Sequence, residues 1–289
     1  MQLSQLEGTG VALITPFKSD LKIDFEALER VLAHTQAVDY WVVMGTTAEA
    51  VTLSLEERKE VLAFVKAHNP TQKPLVYGIG GNNTSELLKI IEITDFQGID
   101  AVLSVSPYYN KPSQKGIYEH FIKIAEASPK PIILYNVPGR TSANMTAQTT
   151  LALAEHPNII AIKEASGNLE QCIAIARAKP ADFLLLSGDD MLAVPMISIG
   201  AKGVISVLAN ALPNEFSQMI RLALQGQFEQ ANQILYHFSL VNPYMYEESN
   251  PVGVKELMRQ MGICQNYVRL PLVPASEALQ EKIAAWRTL

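Results

Sequence analysis

The sequence predicts an α/β chain of the (β/α)8 TIM-barrel class with a C-terminal helical extension. Three observations predict it. Short apolar runs recur along the 289 residues, each bounded by polar, small or Gly/Pro/Asp turn residues. Continuous runs of this kind suit strands buried on both faces, as in a parallel sheet. Amphipathic stretches with apolar residues at helical spacing lie between them. The alternation repeats eight times, whereas a doubly wound sheet more often has about five to seven strands.

The strand candidates in chain order are GVALITP, YWVVMGT, PLVYGIG, AVLSVSP, PIILYNVP, IIAIKEA, FLLLSGD and GVISVLA. The clearest helices are FEALERVLAHTQ, LEERKEVLAFVKAH and SELLKIIEITDF. Ser54 with Glu57, and Asn83 with Glu86, read as helix N-terminal caps. From about Leu222 the pattern turns purely helical: FEQANQILYHFSLV, NPVGVKELMRQMG and SEALQEKIAAW. Residues 1–222 are therefore expected to form a catalytic barrel, and 223–289 a helical extension packed on it without a flexible linker.

Composition narrows the partners. With 23 basic and 29 acidic residues the net charge is -6, and no Lys/Arg cluster exists to neutralise phosphates, so nucleic acid is not expected. No run of about 18 apolar residues is present, so no membrane span is expected. The N-terminus lacks a basic region followed by an apolar stretch, and the only cysteines, Cys172 and Cys264, sit in helical-looking pattern. A cytoplasmic protein is the reading that fits.

In such a barrel the chemistry sits where the strands end. The residues closing the runs are Thr15, the stretch Gly45 to Glu49, Gly80-Gly81-Asn82, the stretch Ser106 to Asn110, Tyr135-Asn136 with Pro138 to Thr141, Lys163-Glu164, Ser187-Gly188-Asp189, and Ser206. They include one lysine, but no histidine or cysteine. The five histidines fall in helices or at helix ends without metal-ligand spacing, so neither a metal site nor a Ser-His or Cys-His nucleophile is expected. GIGG at Gly78 to Gly81 lacks the third glycine of a dinucleotide fingerprint. Lys163 stands out. A lysine at a strand end in a barrel mouth loses hydration, which favours the neutral, nucleophilic amine. A solvated lysine paired with Glu164 is the plain alternative. Tyr135 closes the preceding strand, and a phenol beside an amine can move the protons that imine formation requires. Arg140 reads either as a solvated loop residue or as a bidentate grip on a carboxylate. Tyr108 and Tyr109 could be a loop aromatic cluster. Thr46 and Thr47 cap the next helix or cradle a small carboxylate.

GTTAEAVTL, SPYYNKPSQKGIYEHF, YNVPGRT, IIAIKEASGNL and LLSGDDM with GVISV resemble, in order and spacing from about Gly8 to Pro213, the dihydrodipicolinate synthase family of pyruvate-dependent aldolases. The resemblance implies condensation of pyruvate with aspartate semialdehyde in lysine biosynthesis, without metal or organic cofactor. It implies that Lys163 forms a covalent imine, and that Tyr135, Thr46 and Tyr109 form a proton relay, Tyr109 reaching into a neighbouring protomer's site. Thr47 would bind the pyruvate carboxylate and Arg140 that of the semialdehyde, with Gly188 and Ile205 lining the pocket. A homo-oligomer is implied, a tetramer built as a dimer of dimers. Asn82, Glu86 and Tyr108 match a lysine feedback site, but Leu55 and Arg58 stand where lysine-inhibited members often carry histidines. Ala48 replaces the glycine usual in the Gly-Thr-Thr-Gly-Glu motif, so that loop cannot depend on a conformation only glycine tolerates.

Two rival functions are weighed. A neuraminate lyase or sugar-acid aldolase would share the imine chemistry, but such relatives generally lack the arginine at position 140. A non-catalytic barrel binding a keto acid would be expected to have lost Lys163, Tyr135 or Thr46, and all three are present.

Overall fold

Eight parallel strands close on themselves in sequence order, β1 through β8, with β8 pairing back onto β1 in this computed structural model, which describes residues 3–288. The strands are β1 Gly8–Ala12, β2 Tyr40–Val43, β3 Leu75–Gly78, β4 Ala101–Val105, β5 Ile132–Asn136, β6 Ile159–Glu164, β7 Leu184–Ser187 and β8 Gly203–Ser206. A helix follows each strand, as the fold class requires.

Strand alternation sorts the apolar residues into two cores. Inward positions such as Tyr40, Val42, Val76, Leu103, Ile133, Ala161, Leu186 and Ile205 fill the barrel. Outward positions such as Trp41, Val43, Val102, Leu134, Ile162 and Leu185 pack under the helices. Tyr40 fits only because Gly10 lies opposite: a Cβ there would come within 2.2 Å of its ring. In β6 the register slips opposite Ile132–Ile133, and Ile160 and Ala161 both pack against the inner core. This bulge sets the parity of the strand end, so Lys163 points inward and Glu164 outward.

The sequence expectations need adjusting at a few places. The first strand starts at Gly8 and stops before Leu13, because Leu13 and Ile14 already belong to the exit segment, where Ile14 N–H donates to Asn210. Cys264 lies in a bend just beyond the helix Val252–Gln260, whereas Cys172 is inside the helix Leu169–Ala178. Both N-terminal caps form. Ser54 and Glu57 make a reciprocal capping box at the helix Leu55–Ala67, and Asn83 accepts from Glu86 N at the helix Thr84–Ile93. After the helix Pro213–Leu224, which packs against β1 and β8, come the helices Phe228–Ser239, Val252–Gln260 and Glu277–Trp286. Among the described residues no helix is long and apolar enough to cross a membrane.

Candidate active site

At the C-terminal ends of the strands an open cleft of about 780 Å³ is lined by Thr46, Tyr108, Tyr135, Arg140 and Thr141, with Gly78, Gly80, Leu103 and Val105 as its apolar wall. Four side chains singled out from the sequence thus share one cavity: Thr46, Tyr135, Arg140 and Tyr108, the last of which was expected in the feedback site. Each is delivered by a strand end. Thr46 opens the short turn Thr46–Ala48 after β2, Tyr135 is the penultimate residue of β5, and Arg140 stands exposed on the single helical turn Pro138–Thr141.

Lys163 is not itself among the lining residues and meets the cleft through Tyr135, which is. Its register partner across β5–β6 is Tyr135, its side chain is 4% exposed, and its Nζ sits 4.2 Å from the centre of the Tyr135 ring. Gly188, at the end of β7, makes room for the lysine arm. A Cβ there would lie 3.0 Å from both Cγ and Cε of Lys163 and 2.7 Å from Ala165 Cβ. Ile205 is fully buried on the inner face of β8.

Lys163 and Glu164 are not paired with each other, since the strand sends them to opposite faces. Glu164 is buried outside the barrel, where it accepts from Asn136 Nδ2 at 3.0 Å, Gln171 Nε2 at 2.9 Å and Ser166 N at 2.8 Å. Its charge is satisfied by neutral donors, which leaves the lysine without a carboxylate partner on its own strand.

The other positions are not among the residues that line the cleft. Thr47 is buried and accepts from Asn250 Nδ2 at 3.0 Å. Ala48 is buried and keeps an ordinary backbone conformation, so the missing glycine costs the loop nothing. Within Gly45 to Glu49 the left-handed residue is instead Glu49, at φ 55, a strained conformation for a non-glycine residue that costs on the order of 1–3 kcal/mol. Tyr109 does not line the cleft. It is 87% exposed, with φ 73, on the loop after β4. Asn82 donates to the carbonyl of its neighbour Tyr108 at 3.2 Å, while Glu86 pairs with Lys89 on the exposed face of its helix.

Two features had no signal in the sequence. Tyr246, from the C-terminal extension, is 39% exposed as a residue, but its hydroxyl feels the charges of Asp190 and Asp189. Desolvation of the hydroxyl end first, then the two aspartates, push its pKa above the ordinary phenol value. Asp190 is fully buried, its Oδ2 accepting from Val207 N at 3.2 Å and Leu208 N at 2.8 Å, which ties the end of β7 to the exit of β8. Burial raises its pKa to about 6 against the pull of those donors. Among the histidines, His120 is buried away from the cleft against Thr84, and desolvation lowers its pKa to about 4.

An eight-stranded parallel barrel that packs a buried amine against a phenol ring, the phenol sharing a strand-end cleft with hydroxyls and a guanidinium, has the architecture of a barrel enzyme. The comparisons narrow the class. Residues 5–287 match the sequence model of the dihydrodipicolinate synthetase family, and the chain belongs to that family. A 4-hydroxy-tetrahydrodipicolinate synthase of Cytophaga hutchinsonii is 53% identical over 278 residues, covering 96% of this chain and 94% of its own. The crystal structure of dihydrodipicolinate synthase from Thermotoga maritima superposes with a TM-score of 0.95 at 32% identity, covering 98% of each chain. That of the chloride-inhibited enzyme from Acinetobacter baumannii, complexed with pyruvate, superposes with a TM-score of 0.94 at 36% identity, also covering 98% of each.

Proposed function

We propose that this chain is a lyase that condenses pyruvate with L-aspartate 4-semialdehyde to give 4-hydroxy-tetrahydrodipicolinate, the reaction its curated relatives are named for, and that Lys163 carries it as a covalent imine. The observation that carries the reading is Lys163 itself: buried, facing inward, and in contact with the Tyr135 ring.

The chemistry runs in four steps. The neutral amine of Lys163 attacks the keto carbon of pyruvate and water leaves, giving an iminium that withdraws electrons from the methyl carbon. Loss of a methyl proton gives the enamine. The enamine carbon attacks the aldehyde carbon of the semialdehyde, making the new carbon–carbon bond. The amine of the second substrate then displaces Lys163 from the imine carbon, and the ring closes. Tyr135 carries protons between the lysine nitrogen and the departing oxygen. Thr46 orients the phenol, and Thr47 holds the pyruvate carboxylate. The lysine supplies the electrophilic activation itself, so the scheme draws on no metal or organic cofactor.

Arg140, exposed at the rim, grips the carboxylate of the semialdehyde through a charge-assisted bidentate bond. Arg140→Ala is expected to raise the KM for aspartate semialdehyde about 10- to 100-fold and to leave pyruvate imine formation intact. Steady-state kinetics with each substrate varied in turn provides the check, and an unchanged semialdehyde KM would return the sugar-acid aldolase to contention.

The working protein, in this reading, is a cytoplasmic homotetramer built from dimers. Val51 is 80% exposed at the cleft rim and Tyr109 is 87% exposed nearby in sequence to lining residue Tyr108, apolar surface of the kind that interfaces cover. Tyr109 would then complete the relay of the neighbouring site. Sedimentation velocity should show an oligomer at assay concentrations, and Tyr109→Phe should lower kcat without dissociating it. A fully active monomer would refute this part.

A further inference from the structure

The segment NPVGVKELM of the extension, Asn250 to Met258, contributes no residue to the lining of the cleft, yet it buries polar side chains almost completely. Asn250 is 5% exposed and Lys255 0%. Both reach the loop that follows β2. Lys255 Nζ lies 2.6 Å from Glu49 Oε1 and donates to Tyr267 O at 2.8 Å, with the Phe17 ring 4.2 Å away. Arg269 N donates to the other oxygen of Glu49 at 2.9 Å. The one left-handed residue of the Thr46–Glu49 stretch is therefore held by both its carboxylate oxygens from the extension. Two residues before it, Asn250 Nδ2 donates to Thr47 Oγ1 at 3.0 Å.

A threonine hydroxyl has one proton and two lone pairs. Once its oxygen accepts from an amide, its own proton must be given to another acceptor, and rotation about the C–O bond no longer leaves the group's role open. We propose that Asn250 is a positioning residue for the condensation: by donating to Thr47 it fixes that hydroxyl as a donor to the pyruvate carboxylate, while the Lys255–Glu49 pair holds the loop backbone that carries it. The inference rests on the reading of Thr47 as the pyruvate-carboxylate binder. It gives the C-terminal extension a task in catalysis, since neither Asn250 nor Lys255 belongs to the barrel strands or to the loops that build the cleft.

The test is a double-mutant cycle on the full-length chain, with Asn250→Ala, Thr47→Val and both together, reading pyruvate KM, kcat and Tm. Asn250→Ala is expected to raise pyruvate KM about tenfold, the loss of one hydrogen bond's worth of orientation, with a smaller change in kcat. The double variant should match Thr47→Val alone, because Asn250 acts through Thr47. Asn250→Asp, which has the same shape but offers only acceptors, should raise KM beyond the alanine variant by drawing the Thr47 proton away from substrate. Additive effects in the cycle would overturn the proposal, since they would mean that Asn250 acts on pyruvate independently of Thr47. A lowered Tm with unchanged KM in Asn250→Ala would also overturn it, leaving a merely architectural contact. If Thr47→Val binds pyruvate as the native chain does, the carboxylate reading of Thr47 itself has failed, an outcome visible without reference to Asn250.

Discussion

Lys163→Ala is expected to lose at least about 10⁴-fold in kcat/KM, equivalent to about 5 kcal/mol of transition-state stabilisation. The size follows from what the amine supplies. Without it no iminium forms, and the methyl protons of pyruvate keep the low acidity of a free keto acid. Lys163→Arg separates this account from an electrostatic one. Arginine keeps a positive charge at the same strand position but stays protonated and forms no imine, so it should be as inactive as alanine. If the positive charge were what mattered, the arginine variant would retain most of the activity. The fold should tolerate either loss of the amine, because Lys163 makes no ion pair among the described residues and Glu164 keeps its own donors. Thermal melting alongside the kinetics checks that.

The second large effect is on stability. Lys255→Met should cost about 3–5 kcal/mol, a substantial part of the roughly 5–15 kcal/mol that holds a typical protein folded, and lower the Tm on the order of 10 °C. The reason is what remains. Glu49 is 3% exposed, and without the ammonium its carboxylate keeps only the Arg269 N–H at 2.9 Å. An unpaired buried charge is far more costly than a missing ion pair. Burial already draws the Lys255 ammonium below the ordinary lysine pKa, with Glu49 pulling it back, so the two groups are stable only together. Removing both charges in Lys255→Met/Glu49→Gln should recover most of the loss, because the glutamine carbonyl can still accept from Arg269 N. Urea or thermal denaturation of the single and double variants decides the matter. A double variant no more stable than the single one would show that the buried charge is not the source of the cost.

These two lysines also mark what the sequence could and could not disclose. Lys163 was legible because its signal is local: an apolar run that ends in a cation at a strand exit needs only the strand assignment to become conspicuous. The same local logic gave Ser54–Glu57 and the eight strands. The direction of Lys163 was less accessible, since it depends on a bulge at Ile160 that shifts inside and outside by one residue. Gly188 could be placed at a strand end, but that it makes room for the lysine arm is a matter of packing between β6 and β7. Lys255 gave no such signal. In the pattern it reads as one charged position on an amphipathic helix, and its partner Glu49 lies 206 residues earlier. Asn250 and Thr47 are separated by 203. Tyr246 is likewise brought within reach of the Asp189 and Asp190 charges only by the path of the extension. Contacts of that range are set by how the extension folds back over the barrel, which no periodicity encodes.

The central claim is that Lys163 forms the imine, and reductive trapping tests it most directly. The protein is incubated with pyruvate, reduced with borohydride, digested, and mapped by mass spectrometry. A carboxyethyl-lysine at position 163, absent when pyruvate or borohydride is omitted, is the predicted result. Pyruvate that binds without leaving an adduct, or an adduct confined to another lysine, would contradict it.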